Sequence, residues 1–216
     1  MPRVYRLVRL ILRAALPLQM RLCVTGEEHV PTMGPVLLVS NHLSTVDPLV
    51  IGVALSRELR ILAKAEIFDW PVVGPLARRC EVVPIRRGQR DIAALRILAD
   101  QLKTGNAVLI FPEGTYAKPP DPAALLQFKI GAVWLATRVR APVVPVAIWG
   151  SEDVWTRGRG WRLWRRPPVY VRFGPPYAPH LPVDIGSRDA LQSAADEMAS
   201  HIRELLPERY HGYYRA

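Results

Sequence analysis

The stretch Asn41-His42-Leu43-Ser44-Thr45-Val46-Asp47-Pro48 decides how the fold of this chain is interpreted. The apolar run Val36-Leu37-Leu38-Val39 leads directly into it, after Gly34-Pro35. A short, β-branched apolar run with such a boundary predicts a buried strand. His42 then lies at the end of a strand, which is where open α/β sheets place their functional groups. Because Asp is a good N-cap and Pro suits the first helical position, we expect a helix to begin at Asp47.

The spacing of His42 and Asp47 suits a pair that meets across a corner. On one continuous helix, five residues correspond to about 500° of rotation, so the two side chains would point to different faces. Across a strand–loop–helix corner the carboxylate can reach one imidazole nitrogen. It then fixes the tautomer and supports the imidazolium that forms when the other nitrogen accepts a proton, as in a general base. The alternative is a surface histidine beside an Asp that only caps a helix, and these two residues alone do not separate the two readings.

A second motif, Phe111-Pro112-Glu113-Gly114-Thr115, ends the strand-like run Ala107-Val108-Leu109-Ile110. Gly114 allows the backbone to approach a ligand closely and can present an N–H group to an anion. Two roles remain open for Glu113. It can receive hydrogen bonds from a substrate hydroxyl or from Arg87, or it can be a structural carboxylate held by backbone N–H groups.

These motifs together resemble those of the glycerolipid acyltransferases, the lysophosphatidic acid acyltransferase family. Asn41-His42-x4-Asp47 and Phe111-Pro112-Glu113-Gly114-Thr115 resemble its two main motifs. Three further blocks resemble its substrate-arginine strand, its last motif and another shared segment, respectively: Val83-Pro84-Ile85-Arg86-Arg87-Gly88, Val144-Pro145-Val146-Ala147-Ile148 and Phe128-Lys129-Ile130-Gly131-Ala132. The resemblance covers about residues 23–175, and several motifs in order are a far more specific signal than any one alone.

The resemblance implies transfer of a fatty acyl group from acyl-CoA or acyl-ACP to a hydroxyl of a lysophospholipid, above all 1-acylglycerol-3-phosphate. It makes His42 the general base and Asp47 the residue that holds it. The substrate-binding residues that it implies are Asn41, Arg87, Glu113, Gly114 and Thr115.

The chain departs from the family pattern at Tyr116-Ala117, where the family commonly has Arg and Ser. The missing charge can be supplied by Arg86 or Lys118. The acceptor therefore stays open between lysophosphatidic acid, another lysolipid, a glycolipid and an amino-lipid.

The first twenty residues predict a basic amphipathic helix that lies in a membrane interface. Four arginines fall within about 120° on a helical wheel, namely Arg3, Arg6, Arg9 and Arg13. No uncharged apolar run approaches the ~18–20 residues that span a bilayer, and no signal-peptide pattern is present. The alternative is an ordinary helix packed on the domain with a solvated arginine face. Pro17 is expected to end or kink the helix.

Composition supports an anionic partner. The net charge is +10, with 29 Lys and Arg among 216 residues, which favours a membrane surface, a phosphorylated lipid, an acyl-CoA or a nucleic acid. Between residues 149 and 166, tryptophans alternate with arginines, which suits a headgroup interface or a single-stranded nucleic acid. No recognised nucleic-acid module accompanies them, so we favour an anionic membrane and expect no nucleic acid.

We therefore expect a single α/β domain with a mixed, mostly parallel sheet of about six or seven strands flanked by helices. Residues 1–20 are assigned to the amphipathic helix and residues 21–216 to the acyltransferase domain. We expect no cofactor and no metal, since no second histidine stands at ligand spacing. The expected location is peripheral, on the cytoplasmic face of the cell membrane. Two other functions remain, a hydrolase that uses the same His–Asp pair on water and a non-catalytic basic protein that binds membranes or nucleic acid.

Overall fold

The computed structural model describes residues 3–86, 92–116, 121, 124–156, 160–161, 166–180 and 187–215. The strands are β1 (Arg21–Thr25), β2 (Val36–Ser40), β3 (Leu59–Lys64), β4 (Val83–Ile85), β5 (Ala107–Ile110), β6 (Val143–Trp149), β7 (Trp155–Thr156), β8 (Gly160–Trp161) and β9 (Pro168–Phe173). The α-helices are α1 (Arg3–Gln19), α2 (Asp47–Ala54), α3 (Val73–Arg79), α4 (Ile92–Lys103), α5 (Gly131–Val139) and α6 (Arg188–Leu205).

Seven strands form one sheet in the order β1-β9-β6-β2-β5-β3-β4. The five strands from β6 to β4 are parallel. β9 runs antiparallel to β6 and parallel to β1. The predicted mixed, mostly parallel sheet is confirmed. β7 and β8 pair separately as a short antiparallel hairpin within the Trp- and Arg-rich segment.

The helices cover both faces of this sheet. α1 and α2 pack on one face with residues such as Leu16, Val50 and Ile51, and α3 contacts α1. α4, α5 and α6 pack on the other face. Strands β2, β5 and β6 are buried along their whole length, as expected for parallel strands covered on both sides. This burial explains why their sequences are continuous apolar runs.

The neighbouring strands β2 and β5 form a topological switch point. The chain leaves β2 through α2 on one face towards β3, and it leaves β5 through α5 on the other face towards β6. Connections that diverge in this way open a crevice at the carboxyl ends of the two strands, where open α/β sheets bind ligands. His42 follows β2 and Glu113 follows β5, so both sequence motifs meet at this crevice.

Helix α1 combines features of both sequence-based alternatives. It packs on the domain through Leu12 and Leu16, and Arg9 Nη1 donates a hydrogen bond to the Ser56 carbonyl at 3.2 Å. Some of its apolar residues pack on the domain, and others are exposed to solvent. Four of them are more than half exposed: Leu7, Leu10, Ile11 and Leu18. The alternative of a packed helix with a solvated arginine face does not account for this exposed apolar stripe, whereas the predicted membrane-interface helix does.

The structure changes some predicted boundaries. α1 continues through Pro17 to Gln19. α5 begins at Gly131. Residues 124–129 before it belong to neither helix nor strand, and they are joined to the loop after β5 by hydrogen bonds from the Leu126 N–H to Glu113 and from the Lys129 N–H to the Pro112 carbonyl. Asp91, the residue immediately before α4 and of a type suited to an N-cap, lies outside the described residues. Among the described helices, none is both long enough and apolar enough to cross a bilayer.

Candidate active site

His42 and Asp47 are in direct contact. The imidazole Nδ1 lies 2.8 Å from Asp47 Oδ2, and both residues are buried. A carboxylate at Nδ1 makes that nitrogen the proton donor, so the neutral ring carries its lone pair on Nε2. The histidine side chain keeps 7% of its surface exposed. The corner geometry expected from the sequence is therefore present.

The Asp47 carboxylate is fixed by the loop that precedes it. Besides His42, Oδ2 accepts hydrogen bonds from the backbone N–H of Leu43 at 2.7 Å and of Ser44 at 2.8 Å. Asp47 is the first residue of α2, and Val46 occupies the N-cap position without a side-chain cap. The N-cap predicted for Asp47 is therefore wrong. The carboxylate holds the strand–helix corner closed from inside the first turn.

Two aromatic rings enclose His42. Phe111 stacks on it with ring centroids 4.3 Å apart and an interplanar angle of 28°. Tyr116 stands edge-to-face at 5.3 Å and 90°. Such contacts limit rotation of the imidazole and exclude water from its faces. The ring is thus held in one orientation before any substrate arrives.

Glu113 joins the two motifs through the backbone. Its Oε1 accepts the His42 N–H at 2.9 Å, and its Oε2 accepts the Leu126 N–H at 3.2 Å. Burial raises the pKa of this carboxyl well above its ordinary value of 4.5, the two N–H donors oppose that increase, and the charge of Asp47 adds to it. With both oxygens engaged and the side chain 2% exposed, Glu113 has the geometry of the structural carboxylate that the sequence left open.

The raised pKa of Glu113 predicts a pH-dependent stability. The folded state holds the Glu113 carboxyl proton more tightly than the unfolded chain does. The protonated carboxyl therefore contributes to the free energy of unfolding at low pH, and this contribution is lost as the pH rises through the raised pKa. Glu113→Gln removes this titratable group. In the variant, the amide NH2 faces one of the two backbone N–H donors, and the loss of stability from that unfavourable contact does not vary with pH. We expect the Tm of the variant, relative to wild type, to rise as the pH increases from about 4.5. Thermal unfolding of both proteins across pH measures it, and a Tm difference that stays constant contradicts the assignment.

Gly114 and Lys129 lie against each other at the crevice. Gly114 has φ +67°, and a Cβ there would stand 2.6 Å from Lys129 Nζ, so glycine is favoured by conformation and by space. The Lys129 N–H donates to the Pro112 carbonyl at 3.0 Å, which ties the lysine to the glutamate loop. Gly114 N–H donates to the Phe111 carbonyl. It is therefore occupied and unavailable as an anion donor, contrary to the use suggested from the sequence.

Asn41 ties the histidine loop to the neighbouring strand. Its Nδ2 donates to the Ile148 carbonyl at 2.8 Å, and its Oδ1 accepts the Ile148 N–H at 2.9 Å. The side chain is 1% exposed and its amide is used on both atoms. These bonds to β6 fix the backbone immediately before His42.

Comparison with known proteins identifies the family to which this architecture belongs. A family model described as Acyltransferase matches residues 21–149, which is more than half of the chain and includes both motifs. This chain belongs to the acyltransferase family. The resemblance found in the sequence is thereby confirmed.

The acyltransferase assignment agrees with a solved structure and with curated relatives. The crystal structure of the 1-acyl-sn-glycerophosphate (LPA) acyltransferase PlsC from Thermotoga maritima has a TM-score of 0.70 and 27% identity, over 93% of this chain and 79% of that one. An uncharacterized protein of Mycobacterium tuberculosis is 32% identical over 189 residues, 82% of this chain and 49% of its own length. The lyso-ornithine lipid O-acyltransferase of Pseudomonas aeruginosa is 44% identical over 103 residues, 47% of this chain and 37% of that protein. The matched part thus spans about half the length or less of these two relatives.

The remaining predicted site residues of this acyltransferase do not all lie near His42. Thr115 is half-buried beside the crevice, and its Oγ1 lies 3.5 Å from the Tyr116 carbonyl. Arg86 is exposed after β4, and β4 lies three strand positions from β2, about 14 Å across the sheet. Arg87 and Lys118 lie outside the described residues.

The sequence did not predict the contacts of three side chains at the site. Phe111 and Tyr116 contact His42, and Lys129 contacts Gly114. Lys129 stands in a block that resembles a family segment, which was a usable signal. No signal in a single sequence indicates that Phe111 and Tyr116 enclose an imidazole about 70 residues earlier in the chain.

Proposed function

We propose that this protein transfers a fatty acyl group from an acyl thioester to a hydroxyl of a lysophospholipid, with His42 as general base. The observation that carries the proposal is the 2.8 Å contact between His42 Nδ1 and Asp47 Oδ2 at the switch-point crevice. Family membership and the names of the Thermotoga and Pseudomonas relatives support it. To these features the proposal adds the acyl donor, the acceptor and the steps of the reaction.

In this mechanism the acceptor hydroxyl oxygen attacks the thioester carbonyl carbon while His42 Nε2 takes the hydroxyl proton. The imidazolium that forms is stabilised by the Asp47 carboxylate. The tetrahedral intermediate then collapses, the carbon–sulfur bond breaks, and the proton on Nε2 passes to the departing thiolate. Phe111 and Tyr116 hold the ring, while Asn41 and Glu113 hold the backbone beside it. Arg87, Thr115 and the Gly114 loop remain the proposed contacts of the acceptor.

Two acceptors are favoured by separate observations. The Thermotoga relative is named for 1-acylglycerol-3-phosphate as acceptor and covers 93% of this chain. The Pseudomonas relative is named for a lyso-ornithine lipid and has the higher identity, over a shorter segment. The donor stays open between acyl-CoA and acyl-ACP, since both present the same thioester to His42.

The test is lipid mass spectrometry after incubation of purified protein with acyl-CoA or acyl-ACP and a panel of lysolipids. We expect a lysolipid whose mass has increased by one acyl group. Formation of free fatty acid alone, with or without lysolipid, would establish a hydrolase instead. Absence of both products with every donor would leave the non-catalytic alternative.

We further propose that the protein is peripheral on a membrane surface, with the outward side of α1 in the interface. Leu7, Leu10, Ile11 and Leu18 are exposed on this helix, and Arg6 and Arg13 border them on one side of the helical wheel. A helix of this kind gains from burying its apolar residues among acyl chains while its arginines meet anionic headgroups. The cytoplasmic face is the side on which acyl-CoA and acyl-ACP are available.

Replacing Leu10 and Ile11 with serine is expected to weaken binding to anionic phospholipid vesicles by at least about tenfold, because each apolar side chain buried in the interface contributes about 1–2 kcal/mol. Vesicle sedimentation measures the change. The matched control is Ile97→Ser, which removes an exposed isoleucine from α4 on the opposite face. If both variants weaken vesicle binding equally, or if neither weakens it, the outward side of α1 is not the membrane-binding surface.

A further inference from the structure

Tyr116 lies against the proposed base His42. Its ring stands edge-to-face with His42 at 5.3 Å, and the residue is half-buried. Its hydroxyl makes no hydrogen bond with any residue that the structure describes. The mechanism above uses Tyr116 only to hold the imidazole, so its exposed surface is without a role.

Charged side chains of both signs lie at the His42 corner. Asp47 and Glu113 lie beside His42. Burial raises the pKa of Glu152, which follows β6, and the charges of Asp153 and Asp47 add to the increase. The field of Asp47 therefore reaches both neighbouring carboxyls. Lys129, with its Nζ against Gly114, places a cation at the same loop.

We propose that Tyr116 determines the acceptor head group, and that the preferred acceptor is a zwitterionic lysolipid carrying an ammonium group. The ammonium lies against the Tyr116 ring, and the anionic group of the head group lies at Lys129 Nζ. This inference rests on the proposed acyl transfer and names its acceptor class. A lyso-ornithine lipid and a lysophosphatidylethanolamine both present this chemistry.

An aromatic face attracts an ammonium group, with the largest effect where water is excluded. The Asp47 carboxylate beside His42 reinforces that attraction and opposes a phosphate monoester, which carries up to two negative charges near neutral pH. A tyrosine also provides no positive charge to offset such repulsion. The similarity to a lyso-ornithine lipid O-acyltransferase, 44% identical over 103 residues, agrees with the same acceptor class.

The experiment compares kcat/KM for three acceptors of identical acyl chain: a lyso-ornithine lipid, a lysophosphatidylethanolamine and 1-acylglycerol-3-phosphate. We expect wild type to favour one or both zwitterionic acceptors over 1-acylglycerol-3-phosphate by about tenfold or more, and their relative rates distinguish the two sources of ammonium. Tyr116→Phe keeps the ring and should keep the preference. Tyr116→Ala should lose it, and Tyr116→Arg should reverse it towards 1-acylglycerol-3-phosphate. Tyr213→Phe, at an exposed tyrosine of the carboxyl-terminal segment, is the matched control.

Each outcome has a defined meaning. A wild-type preference for 1-acylglycerol-3-phosphate, or the same acceptor ratio in wild type and Tyr116→Arg, overturns the role of Tyr116 while leaving acyl transfer intact. Inactivity of wild type with every acceptor overturns the proposed function, and this inference with it. If Tyr116→Arg unfolds, as judged by circular dichroism, the Phe and Ala variants decide, because only the ring-dependent model predicts different acceptor ratios for them.

Discussion

Replacement of His42 with alanine is expected to lower acyl transfer by at least about a hundredfold, and by up to about ten thousandfold. Alanine removes the Nε2 lone pair that takes the acceptor proton in the proposed mechanism, and no other histidine is described in contact with Asp47. The initial rate of thiol release in the presence of a saturating lysolipid measures the loss. Because the ring is held by Phe111 and Tyr116 and not by the sheet, the fold is expected to persist.

Two controls make the His42 result specific. His180→Ala removes a histidine whose side chain is 93% exposed, and it should leave the rate unchanged. Circular dichroism and vesicle sedimentation should give the same result for His42→Ala as for wild type. Near-normal turnover by the folded His42→Ala protein would eliminate His42 as the base.

Asp47→Asn is expected to give the second-largest loss, of about a hundredfold or more in kcat. The asparagine carbonyl can still accept the N–H groups of Leu43 and Ser44, so the corner should remain closed. The negative charge that stabilises the imidazolium is lost, so the transition state is affected more than substrate binding. Steady-state kinetics should therefore show a large fall in kcat with a small change in KM.

Asp100→Asn is the matched control for this substitution. Asp100 pairs with Lys103 on the surface of α4, where its side chain is 71% exposed. An exposed pair of this kind contributes little, and neither kcat nor KM should change. If Asp47→Asn kept the wild-type kcat, the carboxylate would serve only the corner and not the reaction.

The His42–Asp47 contact was predictable because both residues belong to one short segment. The strand before them and the proline after Asp47 define a corner, and five residues suffice to close it. The strands were predictable for a related reason, since a sheet covered on both faces needs continuous apolar runs. Local spacing and burial pattern therefore account for most of the fold and for the His42–Asp47 contact.

The contacts between segments were not predictable in the same way. Glu113 accepts the His42 N–H across 71 residues of sequence, and Asn41 binds Ile148 across 107. Such bonds depend on strand order, which a single sequence does not define. The buried geometry of Asn41 and Glu113 favours positioning over the substrate contact that the resemblance implied, and this remains a proposal until variants are measured.

Helix α1 illustrates a different limit. A helical wheel separates charged from apolar residues, but it cannot say which apolar residues face the protein. In the structure Leu12 and Leu16 face the sheet, whereas Leu10 and Ile11 face outward. The packing of α1 against α2 determines which of these apolar residues are buried, and that contact exists only in the tertiary structure.

The most direct test of acyl transfer at the His42 crevice is the stoichiometry of one reaction mixture. Purified protein, acyl thioester and a lysolipid acceptor are combined, and free thiol, acylated lipid and free fatty acid are quantified together over time. Acyl transfer predicts equal amounts of thiol and acylated lipid, both dependent on acceptor and both lost in His42→Ala. Thiol released at the same rate without acceptor, matched by free fatty acid, would contradict it.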